Sequence, residues 1–215
     1  MIVFCENKKR VKSFNKINKK IRTQLFPAIN SVNFYDKYSN MALGKGYCTM
    51  YYEKITRLKR GKLGCNLSHQ KLLEFINKES CCDWNLILED DVDINIDLFE
   101  KNVDSILSHA NDNNARYIQL YTHPKFLQLQ TKQKCICEDL YKMTFQWGTC
   151  AYFIHKDAIK DFIDNFPLNE NIDIEYGKKI SKWKSLCWIN NGIQTIGSID
   201  INDATSRLGS LINHS

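Results

Sequence analysis

The sequence predicts an α/β sandwich, and three observations carry that prediction. Short apolar, strand-like runs alternate with stretches whose apolar residues recur at helical spacing. One such run, Leu86-Ile87-Leu88, ends abruptly in Glu89, Asp90, Asp91 and Asp93, and in open α/β sheets the ligand crevice lies just beyond the carboxyl ends of the strands. Finally, the 215 residues are 43% apolar, hold only three prolines and show no internal repeat or low-complexity linker. Together these describe a single domain over residues 1–215, least defined after Ile180.

The elements follow in order. Ile2 to Cys5 reads as a first strand. Lys8 to Lys20 places Val11, Phe14 and Ile17, with Ile21 beyond, on a helical stripe. Gln24 to Ile29 is a short second strand, and the polar residues 30 to 46 form a loop. Gly64 to Asn77 is a helix with one buried apolar face (Cys65, Leu67, Leu72, Leu73, Phe75 and Ile76), and Trp84 to Leu88 is the central strand. A second amphipathic helix runs from Asp97, a candidate N-cap, to His109. Arg116 to Tyr121, Tyr141 to Gln146 and Ala151 to His155 read as strands, and Lys156 to Phe166 as a helix. Ser185 to Ile189 and Ile193 to Ile196 read as late strands joined at Asn190-Asn191-Gly192, because Asn-Gly favours tight hairpin turns.

The acids after Leu88 are the main chemical signal. Clustered carboxylates repel one another and are costly to desolvate unless a positive group joins them. A hard divalent cation carrying a phosphate ligand fits that requirement. The alternative is a solvated loop in which Asp serves turns and caps.

Charge is unevenly distributed. Residues 1–62 carry 15 Lys/Arg against 3 Asp/Glu, and the remainder carries 15 against 21, so +12 and −6 give the net +6. A basic front half suits an anionic partner such as a nucleotide phosphate, nucleic acid or membrane surface, or is a solvated lysine face. The nine cysteines include no CxxC pair and read as small hydrophobes or free thiols. No apolar run approaches the ~20 residues of a membrane helix, and Met1 to Cys5 is too short for a signal peptide. A cytoplasmic location is therefore expected, and the Asn66-x-Ser68 sequon is read as chance.

Four segments stand in order along the chain: Phe26-Pro27-Ala28-Ile29, Gly61-Lys62-Leu63-Gly64-Cys65-Asn66-Leu67-Ser68-His69, Leu86 to Asp91, and Trp147-Gly148-Thr149-Cys150-Ala151-Tyr152-Phe153-Ile154. They resemble, in turn, the "FxAI/V", "GEIGCxLSH" (with Lys62 in place of the usual Glu), "LILEDD" and "WGTxAYxI" motifs of glycosyltransferase family 25, which includes lipooligosaccharide and collagen hydroxylysine galactosyltransferases. The opening, Val3 to Arg10, is shorter than the family's, and the likeness ends near Ile180.

The resemblance implies a GT-A-like fold, a Rossmann-like nucleotide-binding α/β/α sandwich with a mixed sheet. It further implies an inverting transferase that uses a UDP-sugar with Mn²⁺ or Mg²⁺. In that reading Asp91 is the metal ligand, with Asp93 a second candidate because Asp91-Val92-Asp93 is literally DxD. Glu89 and Asp90 support the donor. Asn7, Arg10, Ser68, His69, Trp147, Gly148 and Thr149 are donor-binding candidates, with Gly148 allowing close backbone approach. Trp147 and Thr149 could equally shape the sugar or acceptor pocket. Asp173 is a candidate general base, Asp90 its rival, and a cap or turn role is the alternative for Asp173. Expected partners are a nucleotide-sugar donor and a glycan or collagen-like acceptor, with peripheral membrane contact through the basic half and no nucleic acid. Competing readings are a catalytically inactive nucleotide- or carbohydrate-binding module of the same fold and a metal-dependent nuclease.

Overall fold

The computed structural model describes residues 2–4, 15, 17–19, 21, 23–29, 57–165, 168, 170–189 and 193–195. Asn7, Arg10, Val11, Phe14, the loop at 30–46 and the turn at Asn190–Gly192 lie outside them. Among the described residues, ten strands form an eight-stranded sheet in the order β2-β1-β3-β8-β5-β9-β7-β6 and a two-stranded sheet, β10-β4.

Strands β1 (Ile2–Phe4), β2 (Leu25–Pro27) and β3 (Trp84–Glu89) run parallel. Strand β1 lies between the other two, so the chain reverses direction of travel across the sheet at β1/β3. Such a switch point opens a crevice beyond the strand ends. Glu89 stands there, in register with Val3. Strand β8 (Ala151–His155) runs antiparallel between β3 and β5 (Tyr117–Gln119), and β9 (Leu186–Trp188) is parallel to β5. The carboxyl ends of β3, β5 and β9 and the amino end of β8 therefore share one rim. A hairpin of β6 (Cys135–Cys137) and β7 (Leu140–Lys142) closes the far edge.

Period-two alternation divides the strands between two cores. Leu88, Ala151 and Phe153 face one layer; Ile87, Tyr152 and Ile154 face the other. The first layer is closed by α2 (Ile96–Asp112), whose Phe99, Ile106 and Ala110 enter the core. The second is covered by α1 (Arg57–Glu79), α4 (Lys156–Ile163) and α5 (Ile172–Lys179). It is rich in aromatics: Tyr117, Tyr152, Tyr176, Phe162 and Trp183 pack with ring centroids 4.7–6.1 Å apart. Leu72, Leu73 and Ile76 of α1 are at most 2% exposed, each contributing about 1.5–3 kcal/mol of burial.

Several sequence expectations need correction. The helix expected over Gly64–Asn77 extends to Arg57–Glu79; packing of its buried face outweighs the ~1 kcal/mol cost of each interior glycine. Asn95, not Asp97, caps α2, accepting from the Leu98 N–H at 3.2 Å. The expected strand at 141–146 ends at Lys142. The helix from Lys156 stops at Ile163, well short of Phe166. The two late strands do not pair as a hairpin: β9 joins the large sheet, whereas β10 (Ile193–Thr195) pairs antiparallel with β4 (Val92–Ile94). Asp173 lies in the first turn of α5. A 3-10 turn (Pro124–Phe126) and α3 (Leu127–Thr131) were not anticipated. Cys81, Cys82 and Cys135 are exposed, and every described cysteine is a free thiol. No helix among the described residues is long and apolar enough to cross a membrane.

Candidate functional site

The shared rim gathers residues from three distant segments. Glu89 is two positions beyond Ile87 and so faces the α1 layer. His69, on the buried face of α1, meets it: Nε2 lies 3.2 Å from Glu89 Oε1. Thr149, just before β8, donates its hydroxyl to the same oxygen at 2.7 Å. The other ring nitrogen of His69 is 2.8 Å from the Tyr152 hydroxyl, which in turn lies 3.1 Å from the Tyr176 hydroxyl. A chain of polar groups thus runs from the sheet rim into the aromatic core, Thr149–Glu89–His69–Tyr152–Tyr176. Of these residues His69 and Tyr152 are at most 1% exposed, where an unmade hydrogen bond is most costly.

A second set of bonds fixes the surrounding backbone. Gly148 adopts φ +102, a region costly to L side chains. Its N–H donates to Asp173 Oδ2 at 3.4 Å and its carbonyl accepts from Gln119 Nε2 at 2.7 Å. Asp173 Oδ1 also accepts from the Ile174 N–H at 2.9 Å. Asn66 fastens the start of α5 to α1: Nδ2 donates to the Glu170 carbonyl at 2.8 Å and Oδ1 accepts from the Ile172 N–H at 2.9 Å. With its amide so engaged and buried, Asn66 is no glycan acceptor in the folded chain. Ser68 likewise donates to the Gly64 carbonyl and accepts from the Ile29 N–H at 2.8 Å, tying the Phe26–Ile29 segment to α1.

Trp147 is 46% exposed at the mouth of this rim. Phe126 meets it edge-on, with ring centroids 5.1 Å apart, and His123 at 6.1 Å. Trp147 and its aromatic neighbours form an exposed apolar cluster there.

Two thiols complete the cluster. Ligand atoms of Cys65, His69 and Glu89 lie within 4.8 Å of one another, as do those of Glu89, Asp91 and Cys150. Burial, then the negative charge of Glu89, pushes both the Cys65 and Cys150 thiols well above the usual range. The donor set also bears on the metal that the resemblance implies. Glu89 and Asp91 offer carboxylate oxygens side by side, which suits Mn²⁺ or Mg²⁺ held by one or two carboxylates plus phosphate. These are the residues that would hold it. Asp93 belongs to neither group among the described residues; it points to solvent from β4 between the buried Val92 and Ile94.

The structure thus brings His69, Glu89, Asp91, Thr149, Gly148 and Asp173 to one rim, whereas the Ser68 hydroxyl is engaged with the backbone of Gly64 and Ile29. Asp90 lies buried in the turn between β3 and β4. Sequence reasoning missed Cys65, Cys150, Tyr152, Tyr176 and Gln119. Cys65 was legible in principle, because it precedes His69 by four positions and shares its helix face.

Over 97 residues the chain is 33% identical to the immunodominant envelope protein p35 of Fowlpox virus (strain NVSL); this covers 44% of the chain and 30% of that protein. The aligned stretch is therefore under a third of the relative's length. Residues 5–175 match the family described as "Glycosyltransferase family 25 (LPS biosynthesis protein)". That span covers most of the sequence and contains every motif that meets at the rim, so the chain belongs to glycosyltransferase family 25.

Proposed function

We propose that this chain transfers galactose or glucose from a UDP-sugar to an acceptor hydroxyl, inverting the anomeric carbon, with Mn²⁺ or Mg²⁺ bound beside the diphosphate. The observation that carries this reading is the meeting of the α1, β3 and β8 motifs at Glu89, at a sheet switch point. Glu89 and Asp91 hold the metal in this reading, and Asp93 contributes from β4 only if that strand turns. When bound, the metal offsets charge growing on the departing UDP. Thr149 and His69 keep the Glu89 carboxylate in one orientation. Asp173, braced against Gly148, takes the proton of the attacking hydroxyl, with Asp90 the alternative base. Trp147 stacks on the sugar or acceptor. Asn7 and Arg10 complete the donor site from outside the described residues. A glycan or a collagen-like chain is the acceptor, and the basic front half gives peripheral contact with an anionic membrane on the cytoplasmic side.

The test is UDP release from a panel of UDP-sugars with Mn²⁺, Mg²⁺ or EDTA, for wild type and Asp91→Asn, alongside UDP binding by calorimetry. Metal-dependent turnover of one donor, abolished in Asp91→Asn, supports the reading. Folded protein that neither turns over a donor nor binds UDP with metal refutes it. A second reading is a catalytically inactive binding module of the same fold. The similarity to a protein named for its place in a viral envelope favours it. Metal-dependent UDP binding with no turnover in the presence of varied acceptors would select that reading. Family membership weighs against the nuclease reading, which requires nucleic-acid binding with a steep salt dependence.

A further inference from the structure

The sulfur atoms at the rim call for a different metal chemistry from the carboxylates. Hard Mg²⁺ and Mn²⁺ select oxygen donors, whereas thiolate with imidazole selects Zn²⁺ and its neighbours. Cys65 and His69 sit one helical turn apart on the same face of α1, and Glu89 approaches both from the end of β3. Two rigid elements therefore supply the donors, so little ordering is required on binding.

We propose that Cys65, His69 and Glu89 form a thiolate-bearing Zn²⁺ site, with the fourth position open toward Cys150 and Asp91. The distances are compatible with this. Zn–N and Zn–O bonds of about 2.0–2.1 Å and a Zn–S bond of about 2.3 Å give tetrahedral donor edges of roughly 3.3–3.7 Å. The His69 Nε2 to Glu89 Oε1 separation is 3.2 Å, and all three donor atoms lie within 4.8 Å of one another.

The outer contacts point the same way. A metal-bound imidazole carries its proton on the other ring nitrogen and donates it to a fixed acceptor. His69 Nδ1 faces the Tyr152 hydroxyl at 2.8 Å, and that hydroxyl can pass its own proton on to Tyr176 at 3.1 Å. Without metal the chain reverses: Nε2–H donates to Glu89, and the Tyr152 hydroxyl donates to Nδ1. Binding converts the Cys65 thiol to a thiolate and releases its proton to solvent. This site goes beyond the transferase reading. It shares Glu89 with the hard-metal position, but it needs no sugar nucleotide.

The experiment uses the full chain with Cys5, Cys48, Cys81, Cys82, Cys135 and Cys137 replaced by serine, so that other thiols do not bind. The metal-stripped protein is titrated with Co²⁺ alone and followed by absorption. Expected are one equivalent bound, intense visible bands of four-coordinate Co²⁺ and a near-ultraviolet sulfur-to-cobalt band, all displaced by Zn²⁺ and not by equimolar Mn²⁺. Cys65→Ser abolishes the sulfur band, and Tyr152→Phe weakens Co²⁺ affinity by about 10- to 100-fold. No binding, binding without a sulfur band, or a band unchanged in Cys65→Ser overturns the proposal. Should Cys65→Ser fail to fold by circular dichroism, X-ray absorption of the Zn²⁺-loaded parent decides. A sulfur neighbour at about 2.3 Å supports the site, and a shell of nitrogen and oxygen only overturns it.

Discussion

Removing the Tyr152 hydroxyl tests whether the buried polar chain behind Glu89 acts as a unit. That hydroxyl is the middle link, 2.8 Å from His69 Nδ1 and 3.1 Å from the Tyr176 hydroxyl. Tyr152, His69 and Tyr176 are at most 2% exposed, so water cannot replace it. Tyr152→Phe strands two buried polar groups. At about 1–3 kcal/mol for each unsatisfied group, the expected cost is roughly 2–6 kcal/mol. Tyr176→Phe removes the end link only and leaves the His69 contact in place, so about 0.5–1.5 kcal/mol is expected. For a chain of this size ~1 kcal/mol shifts the melting temperature by about 2–4 °C, which puts the Tyr152→Phe change on the order of 10 °C. The assay is urea unfolding followed by far-ultraviolet circular dichroism, since Trp183 packs on Tyr176 and its fluorescence would change for local reasons. In the double variant the Tyr176 hydroxyl is no longer orphaned, so its cost falls below the sum of the singles by about 0.5 kcal/mol or more. Equal single-variant costs, or strict additivity, would refute the linked chain.

Three further outcomes are expected. Asn66→Ala removes both bonds that hold the start of α5 to α1; it should cost about 2–4 kcal/mol and raise protease cleavage near Asp173 in limited digestion. Gly148→Ala places a Cβ at φ +102, 3.4 Å from the Tyr121 ring, for a strain of about 1–3 kcal/mol; UDP binding by calorimetry should weaken even where the fold survives. Burial pushes the Cys187 thiol from 9.0 up to about 11. An unfolded chain ionises that thiol near 9.0 while the folded chain holds its proton, so the stability is intact below pH 9 and lost as pH rises to about 11. The loss is on the order of 2–3 kcal/mol. Urea midpoints measured from pH 8 to 11 should fall less steeply in Cys187→Ala, and parallel profiles would contradict the assignment.

The sequence was most legible where one physical signal dominated. Leu86 to Leu88 is short, apolar and β-prone, and it is the central strand; the acids after it stand at the sheet rim, as strand ends in such sheets predict. Helices α1 and α2 were visible because their buried residues recur at helical spacing. The failures have equally physical origins. Three-residue strands such as β4 and β6 are too short to show a period. The Asn-Gly signal at 191–192 suggested local pairing, but Ile193 finds its partner in Ile94, a choice set by tertiary contact. At the candidate site, Glu89, Asp91 and His69 meet at one rim and had been singled out by residue type. Tyr152 was not, because a tyrosine in an apolar strand reads as core packing until the opposing helix is placed. Nor could spacing alone show that Ser68 and Asn66 spend their polar groups on holding backbone.

That last distinction bears on what the motif around α1 is for. Of its buried polar residues, Asn66 positions α5 and therefore Asp173, and Ser68 positions Ile29 beside β2. His69 alone among them reaches the acidic rim. The segment thus works mainly as a bracket: it sets the separation between the carboxylates on β3 and the carboxylate on α5. In the proposed inverting transfer the leaving group and the base must lie on opposite sides of one carbon, so that separation matters more than any single contact. Substitutions at Asn66 should therefore lower the turnover of a bound donor while leaving metal-dependent UDP affinity within about twofold, whereas Asp91→Asn should lose that affinity outright. Measuring both quantities on both variants separates positioning from binding. An Asn66→Ala protein that is folded yet loses UDP affinity as fully as Asp91→Asn would show that α1 contacts the donor directly and is no bracket.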